Sequence, residues 1–286
     1  MPNASMPFAA PSKTKPRLTW GGINWETPKS PLTEPRLTDI SSPPPKPKGR
    51  QLLKMRVDRV ADYTLQIREL FLTCDDPSSF EFRAGQFVML HVPAKEEGAK
   101  PALRAYSIAS SEHRNNGYRL VFKFVETGLA SEFVWSLKGG ESLDFTGPFG
   151  RVFFKEPPTE QAIFLNTGSG ISQHFSFIES NVEKYPDLRY RLLFGVRTEA
   201  DIYYREELER LKSQLKDFHY EFVLSRASAS WTGKRGYVQN FIDEFGYTKT
   251  PSTFYLCGNG AMIKDVKTKL SGDGFDPKMI FAEAFD

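Results

Sequence analysis

The sequence predicts a two-domain protein: an antiparallel β-barrel followed by an α/β domain on a doubly wound parallel sheet. From about Lys54 to Phe154 the chain runs in short pieces rich in Val, Phe, Leu and Tyr, broken by turn residues such as Gly139-Gly140. That is the pattern of hairpin-connected strands. After Pro157-Pro158 strand-like and helix-like stretches alternate, the order that generates a parallel sheet with helices on both faces. At 286 residues the chain has room for both domains.

Taken in order, residues 1–50 hold 11 of the 20 prolines and no sustained apolar period. This predicts a basic, Pro-rich arm that is extended or disordered. The barrel domain is expected over 51–156 and the α/β domain over 157–286. Within the latter, Ala162 to Asn166, Tyr190 to Val196, His219 to Leu224 and Phe254 to Cys257 read as strands. Ser172 to Lys184 and Arg205 to Leu215 read as helices. Cys74 reads as part of a loop.

Composition removes several classes of function. The arm carries +5, eight Lys/Arg against three Asp/Glu, so the rest of the chain carries −2 of the total +3. Nothing in the folded part reads as a nucleic-acid-binding surface. Only two cysteines occur, Cys74 and Cys257, so neither a zinc site nor an iron-sulfur cluster can be assembled from cysteine in this chain. The four histidines, at 91, 113, 174 and 219, show no ligand spacing, and no metal site is expected. Two lone thiols and the lack of any 18-residue apolar run lead to the expectation of a soluble, cytoplasmic protein without a membrane span.

Two stretches carry chemistry. Ile163-Phe164-Leu165 runs into Asn166-Thr167-Gly168-Ser169-Gly170-Ile171 and a helix-like segment. A strand feeding a Gly-containing turn and a helix start aims backbone N–H groups and the helix dipole at a phosphate. The third glycine of the common dinucleotide fingerprint is lacking, and on these residues alone a tight turn without a ligand fits as well. In Arg104-Ala105-Tyr106-Ser107, strand alternation puts Arg104 and Tyr106 on one side and Ser107 on the other. An arginine for a pyrophosphate and a ring for a flavin would then leave one strand together. Without context, an edge strand with a solvated arginine fits better.

The wider sequence supplies context. Arg104-Ala105-Tyr106-Ser107-Ile108-Ala109-Ser110-Ser111 closely resembles the flavin motif of the ferredoxin-NADP reductase family, above all its plant-type branch. Gly128-Leu129-Ala130-Ser131 is similar to the family's second flavin-phosphate segment, and Gly147-Pro148-Phe149-Gly150 to the turn that closes its barrel. Thr167-Gly168-Ser169-Gly170-Ile171 is similar to its dinucleotide loop, Cys257-Gly258-Asn259-Gly260-Ala261-Met262 to its nicotinamide-side motif, and Glu283-Ala284-Phe285 to its acidic-aromatic ending. The matches follow the family order over almost all of 51–286. Two departures stand out: Gln173 occupies a position where the family usually has proline, and Asn166 replaces a frequent glycine.

The resemblance implies FAD, in preference to FMN, as the bound flavin. It implies that Arg104 and Ser131, with Gly128, hold the pyrophosphate, that Tyr106 stacks on the isoalloxazine, and that Ser107 hydrogen-bonds near its reactive nitrogen. Thr167, Gly168, Ser169 and Gly170 would cradle the second dinucleotide. Cys257, with Gly258 and Met262, would lie beside the nicotinamide. Ser107, Cys257, Glu283 and Phe285 would frame hydride transfer, Phe285 shielding the flavin face. Ser225-Arg226 and Arg235-x-Tyr237-x-Gln239 are similar to the family's pocket for a 2′-phosphate, with Tyr237 stacking on adenine. No carboxylate occurs between Ser225 and Asp243, so NADP(H) is expected over NAD(H).

The expected activity is hydride exchange between NADPH and FAD, with single electrons passed to or from a carrier such as ferredoxin or flavodoxin. Two alternatives stay open: the reductase component of an oxygenase system, and a non-catalytic flavin-binding scaffold that presents the basic arm to partners.

Overall fold

The computed structural model describes residues 51–285 except 77–79, 97 and 115–116, so the expected arm over 1–50 lies outside the described residues. Six strands form the first sheet: β1 (Gln51–Thr64), β2 (Ile67–Cys74), β3 (Phe87–Val92), β4 (Ala102–Ser107), β5 (Tyr118–Lys123) and β6 (Ser142–Phe149). Their order is β4-β3-β6-β1-β2-β5, and all neighbours are antiparallel. Alternate residues turn inward: Leu53, Met55 and Val57, Leu70 and Leu72, Val88, Leu90 and Val92, and Leu143 and Phe145 share one core. Ile108, just past β4, bridges to Leu120 of β5, which joins the two edge strands and closes the sheet into a barrel. A short helix, α1 (Leu129–Ser136), buries Ala130, Ser131 and Val134.

One sequence expectation fails here. Cys74 is buried at the end of β2, not in a loop. It continues the inward face of Leu70 and Leu72, and its thiol lies 3.5 Å from the Lys54 carbonyl. The following Asp75-Asp76 obscured that register.

The second sheet holds β7 (Gln161–Thr167), β8 (Arg189–Val196), β9 (Asp217–Leu224), β10 (Lys234–Arg235), β11 (Ser252–Gly258) and β12 (Ile280–Ala284). It is parallel throughout, in the order β10-β9-β8-β7-β11-β12. Helices α2 (Ile171–Asn181) and α3 (Arg205–Gln214) pack with Phe164, Leu192, Phe222 and Tyr255 on one face. Helix α4 (Gly260–Gly272) packs with Ile163, Leu165, Phe254 and Leu256 on the other. Covered on both faces, β11 is buried along its whole length and β7 up to its last residue.

Every residue of α2 is buried, because the helix is held between its own sheet and the barrel. Ser176 Oγ donates to the Ser110 carbonyl (2.8 Å), and the Ser111 amide donates to Glu179 Oε2 (2.9 Å). A second tie is ionic. Arg119 of β5 donates from Nε and Nη2 to both oxygens of buried Glu69 at 2.8 and 3.0 Å, and Tyr204, ahead of α3, donates to the same carboxylate. Removing one partner would strand a buried charge, which costs about 3–5 kcal/mol. The pair itself lies within the barrel, and the second lobe reaches it through the Tyr204 hydroxyl and through Glu207, which accepts from the Tyr63 hydroxyl at 2.7 Å.

Candidate active site at the junction of the two sheets

Strands β7 and β11 are neighbours, yet their helices leave to opposite faces, so the crevice beyond their carboxyl ends is a switch point of the fold. The two turns there interlock. A Cβ on Gly170 would stand 2.4 Å from the Cys257 carbonyl oxygen, and Gly258, at φ +127°, would drive one to 2.3 Å from Thr167 Oγ1. Only glycine allows the backbones this close. The Asn259 amide donates to Thr167 Oγ1 at 2.9 Å, while the Asn259 side chain caps α4 by accepting from the Ala261 and Met262 amides at 3.0 and 3.2 Å. Sequence reading passed over Asn259, although Asn before a helix is a cap signal. Above Gly168 the space is open, with Ser169 half-buried beside it.

On the barrel side, β4 presents its residues in alternation. Arg104 is exposed, and among the described residues its guanidinium hydrogen-bonds to its neighbour's carbonyl, Leu103, at 2.8 Å. Tyr106 is half-buried with its ring 4.2 Å from that of Phe122, and burial pushes its phenol up to about 12 against the opposing pull of Arg104. Ser107 is buried, and its hydroxyl has no hydrogen-bond partner among the described residues. Ser131 is engaged: its Oγ accepts the Val125 amide at 2.8 Å, closing the turn that contains Gly128. A Cβ on Gly128 would meet Val125 O at 3.0 Å and Ser131 Oγ at 3.2 Å, so that turn is also tight.

The carboxy-terminal strand completes the junction. Glu283 lies opposite Cys257 in the β11–β12 register, and the Phe285 amide donates to the Gly258 carbonyl at 2.8 Å. Burial, with the Glu283 carboxylate as a second cause, pushes the Cys257 thiol well up, so it stays protonated. Glu283 is itself raised by burial, opposed by a hydrogen bond from Gln173. Gln173 Nε2 donates to Glu283 Oε2 at 2.6 Å and to the Gly85 carbonyl at 3.1 Å. The Gln86 carbonyl next to it accepts the Ile108 amide at 3.0 Å, and Phe87 pairs with Ser107. A continuous chain of contacts thus runs from Ser107 through Gln173 to Glu283 and Cys257. The glutamine that departs from the expected proline is its central link.

The residues expected around a 2′-phosphate gather beyond β9. Ser225 and Arg226 are exposed, and the Arg226 guanidinium makes no hydrogen bond or ion pair among the described residues. Tyr237 is 62% exposed, leaving its ring available for stacking. Arg235 is occupied, donating to the carbonyls of Ser228, Ala229 and Trp231 at 2.7, 3.1 and 2.6 Å. Gln239 donates to Asp265 at 3.1 Å.

Comparison with known proteins agrees with this architecture. Residues 54–154 match the oxidoreductase FAD-binding domain, and residues 164–268 match the oxidoreductase NAD-binding domain. Ferredoxin-NADP reductase B of Sorangium cellulosum is 34% identical over 228 residues, 77% of this chain and 92% of that protein. The chain belongs to the ferredoxin-NADP reductase family. It is thus a flavin oxidoreductase with an FAD-binding and an NAD(P)-binding domain. Another relative in this family, the reductase component of phenol 2-monooxygenase from a Pseudomonas species, is 31% identical over 237 residues, 80% of this chain but only 64% of that protein. The crystal structure of an Amycolatopsis cytochrome P450 reductase shares the fold, with a TM-score of 0.75 and 23% identity over 82% of this chain and 70% of that one. Among the described residues no helix is long and apolar enough to cross a membrane.

The residues present fit both groups that this reductase family implies. Among the described residues the buried Ser107 hydroxyl has no partner, and the Arg104 guanidinium has one hydrogen bond, to the adjacent Leu103 carbonyl, and no ion pair. The open space above Gly168, at the end of a strand and the start of a helix, suits a phosphate.

Proposed function

We propose that this chain takes hydride from NADPH, and less readily from NADH, onto FAD at the junction of its lobes, and delivers single electrons to a small carrier such as ferredoxin or flavodoxin. The observation that carries the reading is the contact chain from Ser107 through Gln173 to Glu283 and Cys257, which unites the flavin-side and nicotinamide-side residues in one crevice. The functional lobes are taken as 51–156 and 157–286.

FAD supplies the ability to accept two electrons as hydride and release them one at a time. The chain's residues do the rest. Arg104 neutralises the flavin diphosphate, and the turn fastened by Gly128 and Ser131 lines it with backbone donors. Tyr106 offers a ring face for the isoalloxazine, and the Ser107 hydroxyl donates at the atom that gains hydride. Thr167, Gly168, Ser169 and Gly170 receive the pyridine nucleotide's phosphates. Cys257, small and protonated, lets the two rings approach, while Gly258 and Met262 shape the backbone beside them. Glu283, held by Gln173, would flank the nicotinamide beside Cys257, and Phe285 would shield the flavin side of the crevice. Ser225 and Arg226 read the 2′-phosphate, Tyr237 stacks on adenine, and Arg235 and Gln239 brace the loop.

A second reading, the reductase of an oxygenase system, is favoured by the phenol 2-monooxygenase relative at 31% identity. One assay separates the two. Purified protein should release FAD on heating, bleach with NADPH, and then reduce ferredoxin or flavodoxin at a rate set by carrier concentration. Release of FMN alone would overturn the flavin assignment. Reduction of an oxygenase's iron-sulfur protein but of neither carrier would favour the second reading.

A further inference from the structure

The loops that follow β8 and β9 run side by side at the carboxyl edge of the parallel sheet. The Ser225 amide donates to the Val196 carbonyl at 3.1 Å and the Arg226 amide to the Arg197 carbonyl at 2.7 Å. Two exposed arginines, Arg226 and Arg235, the latter bonded to the Ala227 and Ser228 carbonyls just past Arg226, therefore share one loop. Such a pair would bind a dianion strongly if nothing opposed it.

A carboxylate opposes it. Glu199, in the 3-10 turn after β8, accepts the Ser228 amide at 3.0 Å and the Ser228 hydroxyl at 2.6 Å through the same oxygen. Ser228 is also the residue whose carbonyl accepts Arg235 Nη2 at 2.7 Å, so one serine holds an anion on its donor side and a cation on its acceptor side. The Ser228 hydroxyl foremost, and Arg235 more weakly, keep the Glu199 carboxyl below its ordinary range, so it is charged at neutral pH. The stretch from Ser225 to Asp243 contains no acid. The fold brings one in from 29 positions upstream of Ser228.

A fixed negative charge at this position distinguishes the two nucleotides. It repels a 2′-phosphate and partly neutralises Arg235, whereas an uncharged ribose diol is unaffected. Resting on the 2′-phosphate pocket proposed above, we propose that Glu199 is a specificity-determining residue. Fixed on Ser228 beside Arg235, its carboxylate weakens the hold on a 2′-phosphate and so keeps NADH usable alongside NADPH.

Calorimetric titration of the flavin-loaded protein with 2′,5′-ADP and with 5′-ADP tests this, because neither probe carries nicotinamide or reacts. Glu199→Gln should tighten 2′,5′-ADP about tenfold at low ionic strength, and the gain should shrink in high salt as the charge is screened. Binding of 5′-ADP should change less than about twofold, a difference within ordinary surface effects. Glu199→Asp, which keeps the charge, should stay closer to the wild-type ratio of the two affinities than Glu199→Gln does. If Glu199→Gln leaves the ratio unmoved while Arg226→Gln lowers it, the role of Glu199 is overturned and the pocket stands. If Glu199→Asp shifts the ratio as far as Glu199→Gln, the contacts of the glutamate and not its charge are responsible, and the proposal fails. If Arg226→Gln has no effect and the wild type binds both probes equally, the pocket assignment falls and takes the proposal with it.

Discussion

Strand β4 and the loop after β9 each carry a cluster of motif residues, and they differ in what their polar groups do before any ligand arrives. On β4 the groups are little engaged: among the described residues the Ser107 hydroxyl is buried without a partner and the Arg104 guanidinium bonds its neighbour's carbonyl. In the loop after β9 they are engaged, Arg235 with three backbone carbonyls within 3.1 Å and Gln239 with Asp265. An idle buried donor weakens the fold slightly, and its existence calls for a ligand. An engaged arginine stabilises its loop and has less to offer a phosphate. Similar motif matches can thus mean different divisions of labour between folding and binding.

That contrast is open to attack at both ends. The largest expected effect is on the idle side: Ser107→Ala should slow flavin reduction about 10- to 100-fold, the loss of one hydrogen bond made at the reacting atom. It should leave the melting temperature of the flavin-free protein unchanged or slightly higher. A clear drop in melting temperature would show that the hydroxyl has a structural partner. Arg235→Gln should do the opposite, lowering the melting temperature and raising the Michaelis constants for NADPH and NADH together, because the braced loop serves both. Between these behaviours stands Arg226, unengaged yet in the engaged loop. Its replacement by Gln should raise the constant for NADPH about tenfold, leave that for NADH nearly unchanged, and not alter stability. Equal losses with both nucleotides would place Arg226 with Arg235 as a brace.

The smallest effect extends the contrast to a group with no assigned ligand. His174 on α2 is fully buried, neither ring nitrogen has a partner among the described residues, and burial lowers it from 6.5 to about 3. Its folded value lies below its unfolded one, so the stability it contributes is complete above about 6.5 and is lost as pH falls towards about 3. His174→Phe, which keeps the aromatic contact with Phe164 at 5.2 Å, should remove that part of the acid slope, about 1.4 kcal/mol per pH unit. Urea titrations across this range would detect it, and an unchanged slope would mean that His174 finds a proton acceptor.

The order of elements was legible in the sequence because local pattern determines it. Period-two burial in Leu53, Met55 and Val57 and the buried runs of β7 and β11 are visible in a linear window. The meeting of the Thr167-Gly168-Ser169-Gly170 and Cys257-Gly258 turns was not readable from spacing. It follows from β7 and β11 being neighbours across some 90 residues of chain. The link through Gln173 to Gly85 and Glu283 was hidden for the same reason, and so was Glu199 beside Ser228. Helix α1 escaped notice because it has just 8 residues and no side-chain cap. Local sequence marked the candidate residues for the chemistry; which of them are already occupied is a property of the tertiary contacts.

The central claim is that hydride crosses between nicotinamide and flavin at the seam where Ser107, Cys257 and Glu283 converge. Its most direct test is anaerobic stopped-flow bleaching of the FAD-loaded protein by saturating NADPH, with hydride or deuteride at the transferred position, in wild type and Cys257→Ala. Bleaching in one turnover, a primary isotope effect in the wild type, and a slower rate in Cys257→Ala at unchanged nucleotide affinity are expected, since a gap beside the reacting carbon loosens a geometry that must hold atoms within roughly 3–3.5 Å. Bleaching with no isotope effect and a Cys257→Ala rate equal to the wild-type rate would place the transfer elsewhere.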